Sequence, residues 1–141
     1  MQLVENKQLS LDKSIDKYID FPIINPNYPQ EKITIRQLLN HTSSISDERA
    51  YEIDFRVEGQ DSNIELSELL KNYLVDGGTY YSAQKVFLTS KPGTQWSYSN
   101  IGYALLGYIV EKVTGESLRK HSSENIFQPL EMNNTYWELR E

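Results

Sequence analysis

Tyr98 and Asn100 are the residues whose types and spacing point to chemistry. They lie in Lys91-Pro92-Gly93-Thr94-Gln95-Trp96-Ser97-Tyr98-Ser99-Asn100, directly ahead of Ile101 to Val113, which are nearly all apolar or small. Pro92-Gly93 is a turn signal, and Ser97 or Ser99 can cap a helix built from the apolar run. A helix N-terminus carries roughly half a positive charge, which favours negative charge nearby. A phenol held there is better placed than most to share or lose its proton. The alternative for Tyr98 is a half-buried aromatic whose hydroxyl finds a structural partner. Tyrosine is abundant, with 10 in the chain, so Tyr-x-Asn alone does not decide between the two.

The elements around this pair follow from periodicity. Ile101, Leu105, Tyr108, Ile109 and Val113 line one face of the expected helix, and Ala104, Leu106 and Val110 occupy the others, so the helix is buried on most sides. Glu111 and Lys112 interrupt it, and the run is too short to span a bilayer. Gly102 and Gly107 each cost roughly 1 kcal/mol in a helix interior, which close approach of a neighbour would offset. Gly115 closes the helix. Upstream, Thr34 and Gln37 form a capping box for a helix with Ile35, Leu38 and Leu39 on its apolar face. Ser62 to Glu65 reads as a second box, ahead of a helix through Leu66, Leu69, Leu70, Tyr73 and Leu74 that Gly77-Gly78 stops. Tyr80 to Leu88 packs as a short helix or a strand. Ser117 caps a last helix with Leu118, Ile126 and Phe127 inward, and Met132, Tyr136 and Trp137 are expected on the core. Met1 to Glu5 reads as the end of a helix, and Leu9, Leu11, Ile15, Tyr18 and Ile19 as a buried set. Pro22, Pro26 and Pro29 make residues 21–31 an extended connection.

Composition narrows the function classes. A hydrophobic content of 38% with 24% charged residues is that of a soluble globular domain. The net charge of -6 argues against nucleic acid or an anionic membrane as partner, since both demand clustered Lys and Arg. With no cysteine, disulfides and thiolate metal sites are excluded. His41 and His121 lack ligand-like spacing, so neither metal nor other cofactor is expected. His41 invites assignment as a general base, but a histidine bonding backbone at a helix end is the better reading. Met1-Gln2-Leu3-Val4-Glu5 has neither the basic start nor the apolar run of a signal peptide.

The chain resembles the serine β-lactamase-like family, which groups class C β-lactamases, penicillin-binding carboxypeptidases and related esterases. The resemblance is carried by Lys91-Pro92-Gly93, Trp96-Ser97-Tyr98-Ser99-Asn100-Ile101-Gly102-Tyr103, Leu106-Gly107 and Val113-Thr114-Gly115. Leu38-Leu39-Asn40-His41-Thr42-Ser43-Ser44 and Asn125-Ile126-Phe127-Gln128-Pro129-Leu130-Glu131-Met132 carry it too, so it covers almost the whole chain. It implies a mainly α fold: the helical lobe of the β-lactamase/transpeptidase fold, with few or no short strands and without the antiparallel sheet. Residues 1–141 form a single domain on this reading. Residues 1–20 end the nucleophile helix and connect onward, and 21–46 hold the extended connection and capped helix. Residues 47–90 are an acidic variable region with one helix, a solvated loop in preference to a substrate gate, and 91–141 hold the Tyr-x-Asn loop and the last two helices.

The implied activity is acyl transfer through a serine ester, hydrolysing an ester, a β-lactam or a D-Ala peptide, with no cofactor. Tyr98 takes the place of the family's catalytic tyrosine, which shuttles protons between nucleophile and leaving group, and Asn100 that of its substrate-binding asparagine. The nucleophile is a serine with a lysine one helical turn on, expected upstream of residue 1. Ser10, Ser14, Ser82 and Ser117 each have a lysine three residues on. Ser10 and Ser14 sit among charges, Ser82 lacks a helix nucleus, and Ser117 is a helix cap, so none is assigned. No Lys-Thr-Gly or His-x-Gly strand is present either. The chain alone is expected to be inactive, one wall of an active site for a small-molecule or peptide substrate. A stand-alone helical binding or scaffold module is the alternative. Self-association through exposed apolar surface is expected, and the resemblance favours a periplasmic or extracellular setting. The family's glycines are replaced by Lys7 (or Asn6), Ser44 and Glu131, where a side chain at positive φ brings strain unless the turns have been rebuilt.

Overall fold

Helix α5, Asn100–Thr114, is the element on which the others close. The computed structural model describes residues 1–53, 55 and 57–139. Leu105 and Ile109 are fully buried, Ile101 and Tyr108 nearly so, and Ala104, Leu106, Val110 and Val113 are half-buried against the core. Helices α2 (Ile35–Leu39), α3 (Leu66–Leu74) and α6 (Leu118–Ser122) pack on it from different sides. Burying each such Leu or Ile contributes about 1.5–3 kcal/mol. Gly107 sits where α6 comes closest: a Cβ there would lie 3.0 Å from Leu118 Cδ2, so close packing accounts for a glycine in mid-helix. Gly115 ends α5 in the left-handed region at φ 74°.

The other elements are short. Helix α1 spans Gln2–Glu5 and α4 spans Ala83–Val86, with single turns at Ile15–Lys17, Ala50–Glu52 and Ser123–Phe127. Extended pairing among the described residues is limited to isolated antiparallel bridges, Ser14 with Thr34, Ile45 with Phe87 and Val57 with Gln60. The fold is therefore mainly α and holds no sheet among the described residues. The capping box of α2 is present: Gln37 N–H donates to Thr34 Oγ1 at 3.3 Å, and Thr34 N–H to Gln37 Oε1 at 3.0 Å. The stretch Tyr80–Leu88 is both things at once, a helical turn in α4 and then an extended Phe87 paired with Ile45.

Two expectations are corrected. Ser62 does not cap α3, which starts at Leu66 after an N-cap, Glu65, that makes no side-chain bond; Ser62 Oγ instead accepts from Ile64 N–H in a local turn. Met132, Tyr136 and Trp137 lie on the surface, 38%, 57% and 50% exposed. The Trp137 indole N–H donates to Ser122 Oγ at 2.6 Å, which anchors one edge of the ring.

The three positions expected to strain a turn do so. Lys7, Ser44 and Glu131 have φ of 58°, 67° and 55°, and His41 joins them at 58°. The turns were kept and the side chains tolerated, at about 1–2 kcal/mol each for an L-residue in that region. Ser44 recovers some of it: Asn25 Nδ2 donates to its hydroxyl at 3.0 Å, and the hydroxyl donates to the Ser90 carbonyl at 2.7 Å. Lys7→Gly and Glu131→Gly are expected to stabilise the chain by about 0.5–1 kcal/mol each in urea unfolding. Ser44→Gly is expected to destabilise it, because the relief is outweighed by leaving buried Asn25 without its acceptor, about 1–3 kcal/mol.

A polar clasp ties the connection before residue 21 to α5. Tyr108 Oη donates to Asp20 Oδ1 at 2.7 Å and Lys112 Nζ to Asp20 Oδ2 at 2.9 Å. The Tyr108 hydrogen bond, then the Lys112 one, hold the Asp20 carboxyl down at about 2. Burial and the Asp20 carboxylate push the Tyr108 phenol up to about 12. Asp20 therefore stabilises the fold fully above about pH 3.9, and that support is lost as pH falls through about 2. Tyr108 stabilises it below about pH 10, and that support is lost as pH rises through about 12. In thermal melts across pH, Asp20→Asn and Tyr108→Phe are each expected to lower the melting temperature between about pH 5 and 9, where both supports are complete, and to flatten the acid limb and the alkaline limb respectively.

Candidate functional site

The first turn of α5 has orphan backbone N–H groups, as every helix start does. Ser99 satisfies one of them: its Oγ accepts from Gly102 N–H at 2.9 Å. The others are met by a residue far away in sequence. Asp47 is 6% exposed, and its carboxylate sits on the helix end. Oδ2 accepts from Asn100 N–H at 2.6 Å and Oδ1 from Ile101 N–H at 3.1 Å. Oδ1 also accepts from Ser99 Oγ at 2.9 Å, and Oδ2 from Asn100 Nδ2 at 2.9 Å. One buried carboxylate thus takes four donors in two pairs.

Residues 41–47 form a strap that brings Asp47 there. The Gly93 N–H donates to the Thr42 carbonyl at 2.7 Å and the Ser97 N–H to the His41 carbonyl at 2.8 Å. On its other side, Ser46 N–H donates to the Val86 carbonyl at 3.0 Å and Leu88 N–H to the Ser44 carbonyl at 2.8 Å. The left-handed His41 and Ser44 let the strap turn twice within four residues. His41 is structural: its Nδ1 accepts from Ser99 N–H at 3.2 Å, and its ring lies between Tyr98 and Tyr103, with centroids 4.5 and 4.7 Å away. Trp96 meets the same ring edge-on at 6.2 Å.

Tyr98 and Asn100 come together at the surface above this cap. The Tyr98 side chain is 56% exposed, and its hydroxyl donates to Asn100 Oδ1 at 3.2 Å. The phenol is therefore open to a bound molecule and already in contact with its carboxamide neighbour. The electrostatic setting differs from the sequence expectation. The positive end of α5 does not face the phenol alone, because the Asp47 carboxylate occupies it. Asp47 was missed because only accounting for every orphan N–H of α5 signals the need for another acceptor, and nothing local says that it comes from more than 50 residues upstream.

The serines with a lysine three residues on are all poorly placed for attack. Ser14 Oγ accepts from Asp16 N–H and Ser117 Oγ from Lys120 N–H, so both hydroxyls are caps of short turns. Lys120 is paired with Glu116 at 2.8 Å, which raises its affinity for a proton. Ser82 precedes the four-residue α4, and Lys85 is paired with Glu52. Ser10 lies in an irregular turn ahead of Ile15–Lys17. A nucleophile's lysine must shed its proton by desolvation, whereas Lys120 is held charged by Glu116 and Lys85 is engaged with Glu52.

The chain as a whole is similar to known proteins. The family model described as Beta-lactamase matches residues 1–141. Protein flp of Staphylococcus aureus is 31% identical over 135 residues, covering 96% of this chain and 24% of its own. The octameric penicillin-binding protein homologue from Pyrococcus abyssi superposes with a TM-score of 0.68 at 31% identity, over 94% of this chain and 28% of that one. A D-stereospecific amidohydrolase from Streptomyces sp. gives a TM-score of 0.71 at 28% identity, over 94% of this chain and 38% of that one. The chain spans about a quarter of the length of the curated relatives it matches.

The cap and the stacked histidine have separable energetic signatures. Ser99→Ala removes one cap acceptor and one Asp47 donor and is expected to cost about 1–2 kcal/mol. His41→Phe keeps the ring stack but strands Ser99 N–H, for about 1 kcal/mol. Denaturant unfolding of the two variants, with unchanged slope, checks both.

Proposed function

The chain belongs to the β-lactamase family, and from that premise we propose that it supplies the Tyr-x-Asn wall of a serine acyl-transfer site. The supporting observation is the exposed Tyr98 hydroxyl in contact with Asn100 Oδ1 at the mouth of a buried helix. In this reading a serine outside this chain attacks a carbonyl, and backbone N–H groups hold the oxyanion. Tyr98 carries the proton between the attacking hydroxyl and the leaving group. An amide has two N–H groups, and Asp47 takes one. The other lets Asn100 donate to the substrate carbonyl or amide.

The substrate is a small ester, a β-lactam or a D-amino-acid amide or peptide. The penicillin-binding and D-stereospecific relatives support the last two. Alone, the chain is expected to turn nothing over, since Ser14 and Ser117 are caps and Lys85 and Lys120 are ion-paired. The surface also carries apolar area, with Leu39, Trp96, Tyr103 and Leu130 exposed, and we extend the proposal to self-association of the isolated chain.

Grafting the chain in place of the matching segment of the Streptomyces amidohydrolase tests the reading. The graft is expected to hydrolyse a D-amino-acid amide, and Tyr98→Phe to lower kcat by about 10²–10⁴ with little change in thermal stability. A folded but inactive graft would favour the scaffold alternative. Incubating the isolated chain with a fluorescent penicillin is expected to leave its mass unchanged. A covalent adduct lost on Ser82→Ala or Ser117→Ala would overturn the assignment of the nucleophile. Gel filtration at rising concentration is expected to show association, and a strict monomer would refute it.

A further inference from the structure

We infer that Asp47 is a positioning residue that fixes which way the Asn100 carboxamide faces, and so makes the resting Tyr98 phenol a proton donor. The argument is one of donors and acceptors. A carboxylate only accepts, so the Asn100 atom 2.9 Å from Asp47 Oδ2 has to be Nδ2. Rotating the amide by half a turn would set its oxygen against the Asp47 carboxylate, itself only 6% exposed, and two acceptors facing each other there are costly. Asp47 cannot move to suit, because Asn100 N–H, Ile101 N–H and Ser99 Oγ hold it at 2.6, 3.1 and 2.9 Å. With Nδ2 committed inward, Oδ1 is the atom presented to Tyr98. The contact at 3.2 Å is therefore one in which the phenol supplies the hydrogen.

The consequence for chemistry rests on the functional reading above. The hydrogen bond at rest then runs from the Tyr98 hydroxyl to Asn100 Oδ1. In the proposed cycle Tyr98 accepts a proton from an attacking hydroxyl as its own passes to the leaving group, so that one O–H bond forms as the other breaks. The carboxylate that caps α5 thereby also sets the hydrogen-bond partner of a residue it does not touch.

Nuclear magnetic resonance on the full 141-residue chain tests the orientation without needing turnover. The Asn100 side-chain amide is expected to show a scalar coupling across its hydrogen bond to Asp47, and at least about 10-fold slower hydrogen exchange than a free carboxamide. The protection is expected to vanish in Asp47→Asn and to survive in both Tyr98→Phe and Ser99→Ala, although Ser99→Ala also weakens the cap. If Asp47→Asn does not fold, the coupling in the wild-type chain still decides the matter. Absence of that coupling, or protection lost in Tyr98→Phe but kept in Asp47→Asn, would overturn the inference. An inactive graft, or one indifferent to Tyr98→Phe, would sink the functional reading and leave this amide signature standing.

Discussion

Everything in the site hangs on a buried carboxylate meeting the open end of a helix. The first turn of α5 has N–H groups that must be bonded, and α5 cannot be buried on most sides unless its start is satisfied inside the protein. Ser99 reaches only Gly102, so the Asp47 carboxylate takes Asn100 and Ile101. A charge so deeply placed is tolerable because four donors and the helix dipole compensate it. The same bonds stop Ser99 and Asn100 from moving, which is what turns a flexible loop into a fixed presentation of Tyr98. The bonds that stabilise the helix end are also those that position Tyr98 and Asn100.

The strap from His41 to Asp47 explains why strain persists at its turns. Backbone bonds on both edges, to Gly93 and Ser97 on one side and to Val86 and Leu88 on the other, hold it at a fixed height above the core. Reaching from one edge to the other needs sharp reversals, and His41 and Ser44 supply them at φ of 58° and 67°. Glycine would do this with less strain, but neither side chain is idle. The His41 ring is the surface on which Tyr98 and Tyr103 lie, and the Ser44 hydroxyl links Asn25 to Ser90. Local strain is offset by contacts that only those side chains make.

Membership of the β-lactamase family fits a chain that is helical and spans a quarter to two fifths of the relatives and solved structures compared with it. Its core closes around α5 without any sheet among the described residues. What it presents outward is the face bearing Tyr98, Asn100 and the ring stack, together with exposed apolar side chains.

Much of this was written locally. The α5 pattern, its Gly115 stop, and the Thr34 and Gln37 box depend on neighbours within a few residues, and all are legible from residue order; the positive-φ turns at Lys7, Ser44 and Glu131 were marked only by the glycines of the resembling family. The failures had local appeal as well. Ser62 had the spacing of a cap, but a local turn won its hydroxyl; Met132, Tyr136 and Trp137 had core composition, but none of the described elements covers them. What residue order alone determined was an apolar rod with a phenol and an amide at its mouth. Only the tertiary structure decided what sits on that mouth, because the carboxylate of Asp47 arrives from more than 50 residues away and its choice of partners is made by packing, with no mark in the local sequence.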